Sequence, residues 1–264
     1  MAATVQDFRI EPVIHLGRDQ LDGGNLCWWP EDRPAEPEAL QALAEDPITA
    51  LEVSTEQLQL ALQLLERLPE PLWLSVVLPP ALLPSMRGLF RALSRRVEDL
   101  EALRRRSGRR LVVGLQGEPG SGQELRGSPL LSNLAELHTL TVRLGSTEEP
   151  VIPQLLALPF QRVSVTASLA DGADSSAAQQ RLLRWLVGAC HAVEVPLAVG
   201  GVVTASQAAL LRRLGVDLGH GPLWHPPLPP ESFQSLVGEA GPYRTGEYRR
   251  RDELARVATD TDFR

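Results

Sequence analysis

The sequence predicts an α/β protein with a parallel sheet of the (β/α)8 barrel type, and three observations carry that prediction. The first is the stretch Leu197–Pro230, LAVGGVVTASQAALLRRLGVDLGHGPLWHPPLPP, which reads as strand, loop, helix, short strand and a loop full of Gly and Pro. The second is the same alternation of short apolar runs and helical stretches earlier in the chain. The third is length. The chain has 264 residues, and one barrel uses about 250.

Composition excludes several classes of function. Hydrophobic residues make up 43% of the chain, ample for a core, yet no apolar run reaches the ~18 residues of a membrane span. The opening MAATVQDFRIEP lacks the basic and apolar regions of a signal peptide. Cys27 and Cys190 are far apart in apolar contexts, which favours reduced thiols and a cytoplasmic location. A net charge of −7 argues against general nucleic-acid affinity. All 26 Lys and Arg residues are Arg, so no mechanism that needs a lysine is open to this chain.

The elements follow in order. Phe8–Leu16 reads as a strand, Gly17–Gly24 as a polar turn and Asn25–Trp29 as a second strand ending at Pro30. Helical stretches follow at Glu38–Ala44 and Ser54–Leu68, the second with Ser54 and Glu56 at its start. Trp73–Leu78 is a buried strand. Leu82–Arg106 is a long helix with Arg95, Arg96, Arg104, Arg105 and Arg106 interspersed with acids. Such a stripe either meets an anionic partner or is a solvated face laced with i,i+4 pairs, and the second reading is favoured.

Leu111–Leu115 is the next strand. The segment EPGSGQELRGSPLLSN after it contains no G-x-x-x-x-G-K-(S/T) loop for phosphate. Leu130–Leu137 is helical, Thr139–Leu144 and Ser164–Thr166 are strands, and Ser175–Val193 is a strong helix. Val195–Val199 is the strand that opens the unit described first. Gly200 and Gly201 break it, Thr204 or Ser206 caps the helix Gln207–Leu214, and Gly215 ends that helix. The barrel should be complete after Pro230. Its domain spans 5–235, and 236–264 is a polar extension with a short helix over Glu247–Ala258.

These segments resemble the EAL family of bacterial cyclic di-GMP phosphodiesterases. Phe8-Arg9-Ile10-Glu11-Pro12-Val13 is similar to the family's extended "F.PI" opening, and Gly24-Asn25-Leu26-Cys27-Trp28-Trp29-Pro30 to its E-A-L and R-W segment. Val199–Thr204 keeps the frame of A-E-G-V-E-T, and Leu214-Gly215-Val216-Asp217 with His220-Gly221 keeps the spacing of "L..LG.d..QGy". The resemblance implies a (β/α)8 barrel modified by an antiparallel first strand. It also implies a metal site whose matched positions are here Gly24, Val77, Gly114, Arg143, Leu144, Thr166, Gly200 and Val203. The register of Arg143 and Leu144 on the family's paired aspartates is set by counting back from Leu158-Pro159.

None of those positions is acidic. Two-metal hydrolysis of a phosphodiester needs oxygen ligands, mostly carboxylates, a few Å apart, and Arg143 would place a permanent cation where a ligand should be. The resemblance therefore implies a protein without phosphodiesterase activity, without metal or cofactor. It would act as a regulatory protein–protein interaction module in bacterial signalling, controlling motility, adhesion or biofilm formation.

A competing reading is a receptor that binds cyclic di-GMP without turnover. The family's phosphate-binding arginine and guanine-binding glutamine fall at Trp28 and Glu11, which weakens it. Arg143 and Trp28 could still form a different pocket. A third reading is a barrel enzyme of unrelated chemistry. His220 and His225, in a loop with Trp224 between them, match no zinc signature. Ser164, Ser168 and Glu118 form no G-x-S-x-G elbow, and His15, His138 and His191 read as strand-edge or helix-surface residues. The rim near Trp28, Trp224 and Pro226–Pro230 is either an apolar docking mouth or ordinary rim packing. A second copy of the chain is a further partner, through the barrel-end loop Ser146–Pro153. Neither nucleic acid nor a membrane is an expected partner.

Overall fold

The computed structural model describes residues 8–29, 46–78, 111–117, 139–144, 160–166 and 171–240. Its strands are β1 (Phe8–His15), β2 (Gln20–Trp28), β3 (Trp73–Leu78), β4 (Val112–Gly117), β5 (Thr139–Leu144), β6 (Arg162–Val165), β7 (Leu197–Val199) and β8 (Leu218–His220). They close into one barrel in sequence order. β1 runs antiparallel to both neighbours, β2 and β8, and every other pairing is parallel. This is the modified (β/α)8 architecture with a reversed first strand. Four described helices accompany it: α1 (Pro47–Arg67), α2 (Ala177–Ala192), α3 (Ala205–Leu214) and α4 (Pro230–Ala240).

The first hairpin departs from the sequence reading. β2 begins at Gln20, so Gly23 and Gly24 lie within it, and the tight turn ends at Asp19 with φ +53°. The glycines serve close approach instead of turning. A Cβ on Gly23 would stand 2.4 Å from the Trp73 ring, and one on Gly24 2.5 Å from Ile10 Cγ2. Arg212 of α3 then ties down the turn, donating from Nε to the Leu16 carbonyl at 3.1 Å and pairing with Asp19.

Local capping explains the helix ends. α1 starts seven residues before Ser54, because Asp46 accepts from the Ile48 and Thr49 amides with Pro47 in the first turn. Ser54 is buried inside the helix. Ser176 caps α2, and Thr204 with Gln207 forms a capping box on α3. Gly215 ends α3 in the left-handed region at φ +86°. β3 and β5 match their predicted spans, β4 runs to Gly117, and β6 starts at Arg162. His220, predicted in a loop, is the last residue of β8, since Leu218–His220 pairs with β1.

α4 is a helix the sequence reading did not anticipate. Its Phe233 is fully buried, and a Cβ on Gly24 would come 3.2 Å from the ring's tip. Just before it, Leu228 exchanges two backbone hydrogen bonds with Ile10, at 2.7 and 2.8 Å. The core has two parts. A large layer between barrel and helices includes Ile10, Leu26, Leu74, Leu65, Leu186 and Phe233. A small cluster inside the barrel joins Val13, Ala198 and Leu218 to Trp73.

Cys27 and Cys190 are both free and buried. Burial, helped by the nearby Asp217 carboxylate, pushes the Cys190 thiol up to about 11. Among the described residues no helix is long and apolar enough to cross a membrane. The predicted helices at Glu38–Ala44, Leu82–Arg106 and Leu130–Leu137, the loop Ser146–Pro153 and the extension from Gly241 lie outside the described residues.

The docking of α4 gives a direct prediction. Phe233→Ala should lower unfolding free energy by about 3–5 kcal/mol through lost burial and a cavity. Ser235→Ala, on the exposed side of the same helix, should change it by less than about 0.5 kcal/mol. Urea unfolding monitored by tryptophan fluorescence checks both.

Candidate functional site

In a barrel of this kind the C-terminal ends of the parallel strands and the loops beyond them form the site. Side chains alternate between the interior and the helix layer. On β3 the inward set is Trp73, Ser75 and Val77, and β8 contributes His220. The described inward residues enclose a cavity lined by Asn25, Ser75, Thr141, Arg162, Ser164 and His220, with apolar walls including Val13 and Ala198. Its volume of about 20 Å³ is room for about one water molecule.

His220 stands at the mouth of this cavity. Only 5% exposed, it places Nδ1 2.7 Å from Oε2 of Glu11. The reversed direction of β1 makes this possible: Val13 pairs with His220, and Glu11, two residues earlier, lies just beyond it toward the mouth. The imidazole lies against Gly200. A Cβ there would be 2.6 Å from Cε1 and 2.8 Å from Nε2 of the ring. The ring occupies the space that any side chain at 200 would need.

The other predicted positions are placed as follows. Val77 is buried and faces the cavity, and the absent Cβ of Gly114 points at Val77 and Thr141. Gly24 faces the helix layer, against Ile10, Leu74 and Phe233. Its neighbour Asn25 is the inward residue, and it accepts a hydrogen bond from Ser75 at 2.6 Å. The backbones of Arg143 and Leu144 sit in β5, in register with Gln116 and Gly117 on one side and Ser164 and Val165 on the other. Thr166 is half-buried just past β6. Val203 is 58% exposed beside the capping box, its amide donating to Gln207 Oε1 at 2.8 Å.

Trp28 and Trp224 are half-buried against the outer layer, and neither lines the cavity. Trp224 lies across Gly219, whose Cβ would stand 2.8 Å from the ring. His220 and His225 are not brought together in the cavity, which His225 does not line. Among the described residues no three His, Cys, Asp or Glu side chains converge as a metal centre would need.

Sequence reasoning passed over Asn25, Ser75, Thr141 and Arg162. Polar residues at alternate positions of apolar strands were the available signal, because period 2 marks which of them face inward. Arg162 stacks on Trp73, its guanidinium carbon 3.9 Å from the ring centroid. Burial draws it down to about 10, and the Asp22 carboxylate, held by the Trp73 indole N–H at 2.8 Å, pulls it the other way. It remains a cation at neutral pH.

Close packing of His220 on Gly200 is testable by a double-mutant cycle. Gly200→Ala alone should cost about 1–3 kcal/mol from overpacking. In a His220→Ala background the same change should be nearly neutral, giving a coupling above about 1 kcal/mol in urea unfolding. Equal costs in both backgrounds would show that the ring does not fill that space.

Comparison with known proteins agrees with this geometry. Among solved structures, the EAL enzyme Bd1971 in its cAMP- and cyclic-di-GMP-bound form superposes with a TM-score of 0.68 at 14% identity, covering 87% of this chain and 64% of that one. This chain thus spans just under two thirds of the length of Bd1971. BlrP1 of Klebsiella pneumoniae, in a manganese and cy-diGMP complex, gives 0.68 at 17% identity, with 86% and 57% covered. The FimX EAL domain from Pseudomonas aeruginosa, bound to c-di-GMP, gives 0.61 at 20%, with 84% and 90% covered. Identities this low speak for the fold alone. No curated protein matches by sequence. The EAL domain family matches residues 11–227, most of the chain and all eight strands except the first three residues of β1. On that match, and on a closed barrel with its first strand reversed, this chain belongs to the EAL domain family.

Proposed function

We propose that this EAL domain does not hydrolyse cyclic di-GMP and works as a regulatory protein–protein interaction module in bacterial cyclic di-GMP signalling. The observation that carries the proposal is the buried ring of His220 at the C-terminal end of β8, packed on Gly200 with Nδ1 2.7 Å from Glu11 Oε2. A divalent cation pair needs several carboxylate oxygens converging on one place. The inward residues Val77, Gly114 and Gly200 offer no donor atom, and Glu11 already faces an imidazole. Among the described residues this donor set does not fit two metals. No step of a metal-assisted mechanism can be drawn through it.

The described strands and helices share a continuous buried core, so the scaffold has surfaces to offer. Val203, exposed on the loop after β7, and the run Pro226–Pro230, with Pro226 and Pro229 exposed, are the described surfaces for a protein partner. The Arg95–Arg106 stripe is the corresponding surface proposed from sequence, and Ser146–Pro153 that for self-association. Structural relatives crystallised with the dinucleotide favour a second reading, a receptor without turnover. Replacement of the family's arginine by Trp28, which packs on the outer layer, counts against it.

Two assays separate these readings. Incubation with cyclic di-GMP and Mg²⁺ or Mn²⁺ should yield no linear dinucleotide above the protein-free rate, and steady release of product would sink the proposal. Calorimetric titration should show no heat, with an unchanged melting temperature. Micromolar or tighter binding without turnover would instead make the domain a receptor.

A further inference from the structure

A cation facing the barrel interior, with part of its guanidinium shut from solvent, stands apart from the His220 contact. Arg162 projects into the cavity, and its Nε and Nη1 are shut from solvent with no hydrogen-bond partner among the described residues. Thr141 is 4% exposed, pairs with Arg162 in the β5–β6 register, and has an equally orphaned Oγ1. Ser164, two residues along β6, adds a buried hydroxyl to the same wall. Trp73 covers one face of the guanidinium. Asp22 acts on that charge from a distance, its carboxylate bound to the Trp73 indole, and no ion pair joins it to Arg162.

Buried donors without acceptors are costly, and more so on a guanidinium whose counter-charge acts only from a distance. The cavity beside these groups has an electrostatic sign and a size. Guanidinium N–H groups donate only, and hydroxyls can donate, so the wall presents donors around a positive charge. A cavity of about 20 Å³ takes a particle of roughly water's dimensions. We infer that the barrel interior, between Arg162, Thr141 and Ser164, is a binding site for a small monovalent anion of the halide class, which neutralises Arg162 and stabilises the fold.

Thermal unfolding in sodium bromide against sodium gluconate, at constant ionic strength, tests this. Bromide should raise the melting temperature by about 3–5 °C for each tenfold increase beyond its dissociation constant. Thr141→Val should require several-fold more bromide for the same shift, and Arg162→Met should abolish it. If Arg162→Met does not fold, Thr141→Val carries the comparison. Crystals grown in bromide should show an anomalous peak between Arg162 and Thr141. A bromide response absent from the native protein, or undiminished in both variants, would overturn the inference, as would ordered water alone in that position.

Discussion

Reversal of one strand is the constraint on which the rest of this structure depends. β1 must hydrogen-bond antiparallel on both edges for the sheet to close, and closure is what removes open edges from a barrel. β8 is only three residues long, so it satisfies only the His15 end of β1. The segment before α4 supplies the rest, through the paired bonds of Leu228 with Ile10. The same reversal carries Glu11 to the mouth, where a strand of ordinary direction would have placed it at the base. A topological requirement thus decides which carboxylate meets His220.

Space inside the barrel is apportioned by pairing absent side chains with large ones. Gly23 accepts the Trp73 ring at one level and Gly200 accepts His220 at another, each at a distance no Cβ would permit. Close packing of this kind resists change in either partner, because both volume and shape are matched. It also means that Gly200 is best understood together with His220. The two positions form one steric unit.

The barrel was legible in the sequence because apolar runs and helical stretches alternate with caps and glycines at the joints. β3, β5 and the unit from Leu197 to His220 illustrate this. Gly23 and Gly24 misled for a physical reason: glycine marks both turns and close approaches, and only the partner across the sheet, Trp73 or Ile10, tells them apart. α4 was missed because Pro226–Pro230 reads as an exit, although Pro is well suited to a helix's first turn. At the site, motif alignment directed attention to Gly24, whereas the pleat turns Asn25 inward. The polar lining at Ser75, Thr141 and Arg162 depends on which strand faces which. No single strand reveals it.

The bond between Arg212 and the Asp19 turn joins residues 193 positions apart, and the Leu228–Ile10 bridge spans a still longer stretch. During synthesis, the opening hairpin leaves the ribosome long before α3 or the closing segment exists. Until then β1 has an unpaired edge, and the entropy of so large a loop opposes early closure. Barrel completion is therefore a late, nearly all-or-none event that awaits the last fifth of the chain. In the cell, that waiting hairpin is an unpaired edge that a chaperone's shelter would protect.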